Sequence, residues 1–176
     1  IPLPIFKFYG ILKKIKILEK KKFNLIISSD LPHKNLNIIK KSHKNRNQKY
    51  SHYFLVIVGI GQSKKKDKKN KIIYLGEISE NEKFWLLNNC ENYILPSLYE
   101  GFGMTLIEAL SHSPRVVSSH IGSLVEIGNS NVNYIKKNSS YKNWNKIIFS
   151  KKNKNRKKIN LDKKNKKIID LYIDLF

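Results

Sequence analysis

The sequence predicts an α/β fold, a doubly wound parallel sheet, on three observations. Apolar runs of strand length, rich in β-branched side chains, read as strands buried on both faces. Longer stretches that read as helix alternate with them. Three of the runs close on Gly or Pro (Gly59, Gly76, Pro96), which marks turns at strand ends. At 176 residues the chain suits one such domain and is too short for two.

Taken in order, Phe23–Ile27 reads as a strand, with a turn at Pro32 and a helix from about Asn35 to Ser42. Phe54–Val58 is a strand ending at Gly59, and Ile72–Leu75 another ending at Gly76. Ser79 is placed to cap the next helix, with Glu82 three residues on as its capping-box partner, and that helix runs to about Asn89. Tyr93–Leu95 is a short strand closed by Pro96. A helix follows from about Gly103 to Ser111, then a strand at Arg115–Ser118. In such sheets ligands sit beyond the carboxyl ends of the strands. The loops Ser28–Lys34, Gly59–Ser63, Gly76–Glu80 and Ser97–Gly103 are therefore expected to share one rim. The lysine-rich run Ser63–Lys71 reads as a solvated loop. The stretch Ser150–Lys158 reads as a basic connector before a closing helix near Leu161–Leu175. The expected organisation is a basic lead-in over 1–22, a binding domain over 23–150 and the connector and closing helix over 151–176.

Composition excludes several classes. No apolar run approaches the roughly 20 residues of a membrane-spanning helix, and no signal peptide is read. The single cysteine, Cys90, rules out an intrachain disulfide framework and a Cys-rich zinc site, and it reads as a buried, inert thiol. A net charge of +22 invites a polyanion partner, but 32 of the 35 basic residues are lysine, a bias that A/T-rich codons produce unaided. Only Arg46, Arg115 and Arg156 could supply a planar fork to phosphate, which disfavours nucleic acid. The charge is also uneven. Residues 72–130 hold two cations, Lys83 and Arg115, against seven glutamates, so the middle of the chain is acidic.

That middle holds the chemistry-bearing segment, Leu95-Pro96-Ser97-Leu98-Tyr99-Glu100-Gly101-Phe102-Gly103-Met104-Thr105-Leu106-Ile107-Glu108. A strand end turns at Pro96, and a loop with two glycines opens a helix. Gly101 and Gly103 permit positive φ and close backbone approach, so amides can point at a bound anion. The helix N-terminus adds about half a positive charge, which suits a diphosphate. Carboxylates would repel phosphate, so Glu100 and Glu108 are suited to hydroxyl pairs instead. A ligand with hydroxyls at both ends and phosphates between them is a nucleotide sugar.

The same segment closely resembles the donor-binding, C-terminal domain of retaining GT-B glycosyltransferases, the group 1 (family 4) mannosyl- and glucosyltransferases. Their signature is two glutamates with seven residues between them and Gly-Phe-Gly after the first, here Glu100, Gly101-Phe102-Gly103 and Glu108. Leu31-Pro32-His33-Lys34-Asn35-Leu36 resembles the family's loop after the first strand. Leu55–Gly59, Ile73–Gly76 with Ile78-Ser79, and Val116–Ser118 followed by Gly122–Glu126 resemble the family's segments in register, and the match fades after about Ile135. It covers the C-terminal domain and essentially none of the N-terminal one. With Ile1 in place of a starting Met, the chain reads as a fragment or processed segment.

The resemblance implies a Rossmann-like fold and roles for single residues. Glu100 and Lys34 would be catalytic, Glu100 on the donor sugar's hydroxyls and Lys34 on the diphosphate and the leaving group's charge. Gly76, Gly101, Phe102, Gly103, Met104, Thr105, Leu106 and Glu108 would be donor-binding, with Glu108 on the ribose and Gly76 bordering the base. The donor would be a GDP- or UDP-hexose, with no metal and no cofactor besides. The acceptor, a glycan or lipid-linked sugar, would be held by an N-terminal domain that the chain does not include. The expected location is cytoplasmic, with peripheral contact at the membrane's cytoplasmic face a further option.

The chain also departs from the family pattern. An Arg usually precedes the loop Lys, where this chain has Ser28-Ser29-Asp30. The family prefers Gly-x-Pro before the Val-Val strand, where this chain has Ser113-Pro114-Arg115, and Arg115 is expected nearer solvent than the Pro it replaces. Gly59-Ile60-Gly61 mimics half a dinucleotide fingerprint, but no third glycine or opening helix follows, which argues against NAD. His33, His112 and His120 read as loop or helix-end residues. Glu126 could reach the sugar or cap a short helix. The alternatives to a transferase half are a non-catalytic, partner-binding remnant of the same fold and a basic nucleic-acid or membrane-surface binder.

Overall fold

The computed structural model describes residues 11–61 and 65–150. The expected closing helix at Leu161–Leu175 and most of the connector before it lie outside them. The elements are β1 (Phe23–Ile27), α1 (Leu36–Lys44), β2 (Phe54–Val58), β3 (Lys65–Asp67), β4 (Ile72–Gly76), α2 (Glu80–Asn89), β5 (Asn92–Leu95), α3 (Met104–His112), β6 (Val116–His120), α4 (Gly122–Gly128), β7 (Asn133–Lys136) and α5 (Tyr141–Ile148), with short 3₁₀ turns between some of them.

The described strands form one seven-stranded sheet in the order β3-β4-β2-β1-β5-β6-β7. Every described pairing is parallel except β3 with β4. The chain winds outward from β1 in one direction and resumes on its other side at β5. The topological switch therefore lies between β1 and β5, where a doubly wound sheet binds its ligand.

Side-chain alternation divides each strand between two core layers. Val56 and Val58 join Leu25, Ile73, Leu75, Tyr93 and Leu95 under α2, α3 and α4. Leu55 and Ile57 join Ile26, Ile72, Ile94 and Val117 under α1 and α5, with Trp144 of α5 almost fully buried. Each fully buried Leu or Ile contributes about 1.5–3 kcal/mol. A strand that feeds two layers has no solvated face, which explains the uninterrupted apolar runs.

Helix ends follow local chemistry. At α2 the capping box is complete, with Ser79 accepting from the Glu82 amide and Glu82 accepting from the Ser79 amide. The Ser79 amide first, then the Ser79 hydroxyl donating to Oε2 at 2.9 Å and the Lys13 charge, hold the Glu82 carboxyl below its ordinary pKa against its burial. Ile15 and Leu18, before β1, are buried in the α2–α4 layer, so the stretch just before β1 packs against the domain.

Two expectations are corrected. The run Ser63–Lys71 is not loop throughout, because Lys65–Asp67 forms the antiparallel strand β3, pairing Lys65 with Tyr74 and Asp67 with Ile72. Asp67 then closes the turn, accepting from the Asn70 amide at 3.0 Å and from Asn70 Nδ2 at 2.6 Å. Lysine's weak strand propensity hid it; β4's unpaired outer edge supplies the backbone partners.

Arg115 is the second correction, for it is buried with 6% of its surface exposed. It donates to Ile148 O (3.1 Å) and Ile147 O (2.8 Å) at the end of α5, to Asn92 Oδ1 (3.1 Å) and to Ser150 Oγ (3.0 Å). The last carbonyls of a helix lack intrahelical partners, and a cation there also meets the negative end of the helix dipole. Burial draws the guanidinium below its ordinary pKa.

Candidate functional site

The loops after β1 and β5 meet at the switch point. After β1, Pro32–Lys34 makes one 3₁₀ turn, and Asn35 takes a left-handed φ of 53° to start α1. After β5, Pro96 carries the chain into Ser97–Gly103. The Leu98 amide donates to His33 O at 2.7 Å, and Asn35 Nδ2 to Pro96 O at 3.3 Å. Between these two stitches, Lys34 Nζ lies 2.7 Å from Glu100 Oε1. Ser97 Oγ donates to the same oxygen at 3.0 Å, and Ser123 Oγ, from α4, donates to Glu100 O at 2.9 Å. Glu100 is thus fixed from three elements.

Gly103 caps the next helix with a left-handed φ of 74°. A Cβ there would stand 2.6 Å from Leu124 Cδ2, so both conformation and packing call for glycine. Gly101 differs from expectation: its φ is not positive, and a Cβ would meet open space. No side chain caps the N-terminus of α3. Its first-turn residues Met104 and Thr105 are half-buried, and Phe102 packs its ring on the core. Leu106 is a core residue with its amide held by Gly103 O at 2.8 Å, so it presents neither side chain nor amide to the rim. Gly76, with a φ of 65°, ends β4 and accepts from the Gly59 amide at 2.8 Å, placing the start of α2 on the same rim.

Glu108 is buried on α3, with 5% of its surface exposed. Its partner is Lys83 of α2, Nζ to Oε1 at 2.8 Å, and Lys83 also reaches Glu80 Oε2 at 2.7 Å. Burial pushes the Glu108 carboxyl above its ordinary pKa, against the pull of Lys83. Burial lowers Lys83, but its bonds to Glu108 and Glu80 outweigh that and hold its ammonium above its ordinary value. Lys83 was missed from sequence, although its standing as one of two cations in an acidic stretch was a signal.

The other candidates fall outside this cluster. His112 sits at the far end of α3 against Phe84, ring centroids 4.7 Å apart. His120 is exposed at the end of β6, edge-on to Tyr134. Glu126 is exposed on α4, and Cys90 is buried. Among the described residues no three His, Cys, Asp or Glu side chains gather to hold a metal ion, and no helix is long and apolar enough to cross a membrane. Two surface grooves lie away from the rim, one beside α5 and one of about 170 Å³ between Ile17, Lys21, Phe54 and β3.

A mostly parallel sheet in this strand order, covered by helices on both faces, is the Rossmann-like architecture of GT-B glycosyltransferases. The chain belongs to the family described as glycosyl transferases group 1, whose model matches residues 10–169. It is similar to the O-antigen chain mannosyltransferase RfbU of Salmonella typhimurium, 27% identical over 138 residues, which are 74% of this chain and 38% of RfbU. It is also similar to the O-antigen chain mannosyltransferase B of Escherichia coli, 38% identical over 56 residues, 32% of this chain and 15% of that protein. The chain therefore matches less than half the length of these relatives. Among solved structures, an α,α-trehalose-phosphate synthase (UDP-forming) from Burkholderia vietnamiensis superposes with a TM-score of 0.70 at 12% identity, covering 92% of this chain and 45% of the synthase. Anabaena HepE in complex with UDP-glucose superposes with a TM-score of 0.60 at 16% identity, covering 76% of this chain and 41% of HepE. At these identities the two structures bear on the fold alone.

Proposed function

We propose that this chain is the donor-binding half of a retaining hexosyltransferase, with residues 23–150 as the nucleotide-sugar domain. The observation that carries the reading is the meeting of Lys34 and Glu100, 2.7 Å apart, where the two halves of the sheet diverge. In this reading Lys34 turns from Glu100 to the donor's diphosphate and offsets the charge that develops on the leaving group. The Met104 and Thr105 amides at the start of α3 add partial positive charge from a terminus that no side chain caps. Glu100 accepts from the hexose hydroxyls and Glu108 from the ribose. Gly76 and the start of α2 border the base. The positive charge comes from the protein itself, so the reading calls for no metal.

The relatives named as mannosyltransferases support mannose as the hexose, and the donor in this reading is GDP-mannose, with UDP-glucose the runner-up. The acceptor is a glycan or lipid-linked sugar held by an N-terminal domain. The place of action is the cytoplasm. Lysines 21, 66, 68 and 71 around the groove at Phe54 support contact with an anionic membrane face.

Calorimetry of the chain with GDP, UDP, GDP-mannose and UDP-glucose tests the reading. Binding of one nucleotide series in the micromolar to millimolar range, unaltered by EDTA, is expected. No heat with any of them at millimolar concentration would exclude it.

A second reading, a non-catalytic domain of the same fold, rests on the segment before Lys34. Ser28-Ser29-Asp30 brings no second cation to the diphosphate. Sugar transfer detected once a matching N-terminal domain is supplied would dismiss it.

A further inference from the structure

Glu108 pairs with a cation from a different helix. Lys83 lies one turn into α2, 25 residues earlier in the chain, and its ammonium touches Glu108 Oε1 at 2.8 Å. The Lys83 side chain is 15% exposed and runs over the Phe84 ring, Nζ 5.0 Å from its centroid. Its second partner, Glu80, is mostly exposed, so the network runs from solvent through Lys83 to a buried carboxylate. Such a carboxylate keeps its charge only where a positive group or hydrogen bonds offset the lost hydration. Lys83 engages one oxygen and leaves the other with its acceptor capacity, as a vicinal hydroxyl pair requires.

We infer that Lys83 is a positioning residue for nucleotide recognition: from α2 it holds the Glu108 carboxylate ionised and fixed on α3, and so sets how strongly the ribose hydroxyls are bound. This rests on the donor-binding reading above. Among the described residues, the charged and titratable groups around Glu108 are Lys83 and Glu80 from α2 and Tyr93 from β5. Lys83 is the cation among them. Without it, burial acts on Glu108 unopposed, and the carboxylate takes up a proton at higher pH. A protonated Glu108 offers the ribose fewer acceptor sites.

The test has two arms. In the first, the Glu108 side-chain carboxyl is titrated by carbon NMR in the wild-type chain, Lys83→Gln and Lys83→Arg, with circular dichroism to establish folding. The midpoint should rise in Lys83→Gln and stay near wild type in Lys83→Arg. In the second, GDP, UDP and their 2′-deoxy analogues are titrated calorimetrically from pH 5.5 to 8. Lys83→Gln should weaken the ribonucleotide about tenfold and the 2′-deoxy analogue clearly less, with the loss setting in at higher pH than in wild type. In a Glu108→Gln background, Lys83→Gln should add nothing. An unmoved Glu108 midpoint, or equal weakening of ribo- and deoxynucleotides, overturns the role of Lys83. A wild-type chain that binds no nucleotide, with the midpoint still shifting in Lys83→Gln, overturns the donor reading and the ribose role with it, leaving an ion pair that joins two helices.

Discussion

Lys34 and Glu100 stand 66 residues apart in the chain and 2.7 Å apart in space, with side chains 19% and 12% exposed. Neither belongs to a regular strand or an α-helix. They meet because β1 and β5 are neighbours in the sheet and their following loops are bonded to one another, Leu98 amide to His33 O and Asn35 to Pro96 O. The ion pair is a consequence of the sheet order.

Its contributions to stability and to binding should separate. Lys34→Ala should cost the fold about 1–3 kcal/mol, because it leaves the mostly buried Glu100 carboxylate without its cation while Ser97 Oγ still donates to it. It should cost nucleoside diphosphate affinity about 1.5–3 kcal/mol, the range of a hydrogen bond to a charged group, roughly ten- to a hundredfold. Chemical denaturation and calorimetry with GDP and UDP measure the two.

The two glycines of the loop should respond oppositely. Gly103→Ala forces an alanine to a φ of 74° with its Cβ 2.6 Å from Leu124 Cδ2, and a loss of about 1–3 kcal/mol is expected. Gly101→Ala meets nothing within 4 Å at an ordinary φ and should leave stability within about 0.5 kcal/mol of wild type. Thermal melts of both variants suffice.

Arg115→Met should destabilise the chain by about 2–4 kcal/mol. It strips partners from Ile147 O, Ile148 O and Asn92 Oδ1. Arg115→Lys should recover only part, because one ammonium cannot reproduce the two-nitrogen fork. Hydrogen exchange at the C-terminal end of α5 should quicken in both variants before the rest of the domain responds.

Acid should unfold the domain partly through His43. Its ring is buried on α1, and burial first, then the nearby Arg46 charge, lowers its pKa from 6.5 to about 4, against the opposing pull of the Asn70 and Lys71 backbone. Between those values the unfolded chain binds a proton that the folded chain refuses. The stability present above pH 6.5 is therefore lost as pH falls towards 4, by about 3 kcal/mol from this group. His43→Leu should flatten the slope of stability against pH in that window. An unchanged slope would show that the acid transition belongs to other groups.

The sequence disclosed much of this domain for identifiable reasons. Val56 and Val58 face one core layer and Leu55 and Ile57 the other, so burial on both sides leaves an apolar run that reads as a strand. Ser79 and Glu82 announce their helix because a capping box is local chemistry. Lys83 and Arg115 were conspicuous as cations in an acidic stretch, yet their roles were illegible. What each does depends on a partner brought by another element, Glu108 for one and the end of α5 for the other. β3 was hidden because it owes its form to the free edge of β4 and little to its own residues.

That short strand has a consequence for the chain in a crowded solution. A parallel sheet ends in an open row of amides and carbonyls, which a strand from another molecule can extend. Among the described residues the outermost strand on that side is three residues long, and Lys65 and Lys66 on it are exposed. A neighbour that tried to zip on would find little backbone to pair with and would have to bring two ammonium groups against its own. Some of the lysine that first suggested a polyanion partner thus works as a guard against self-association.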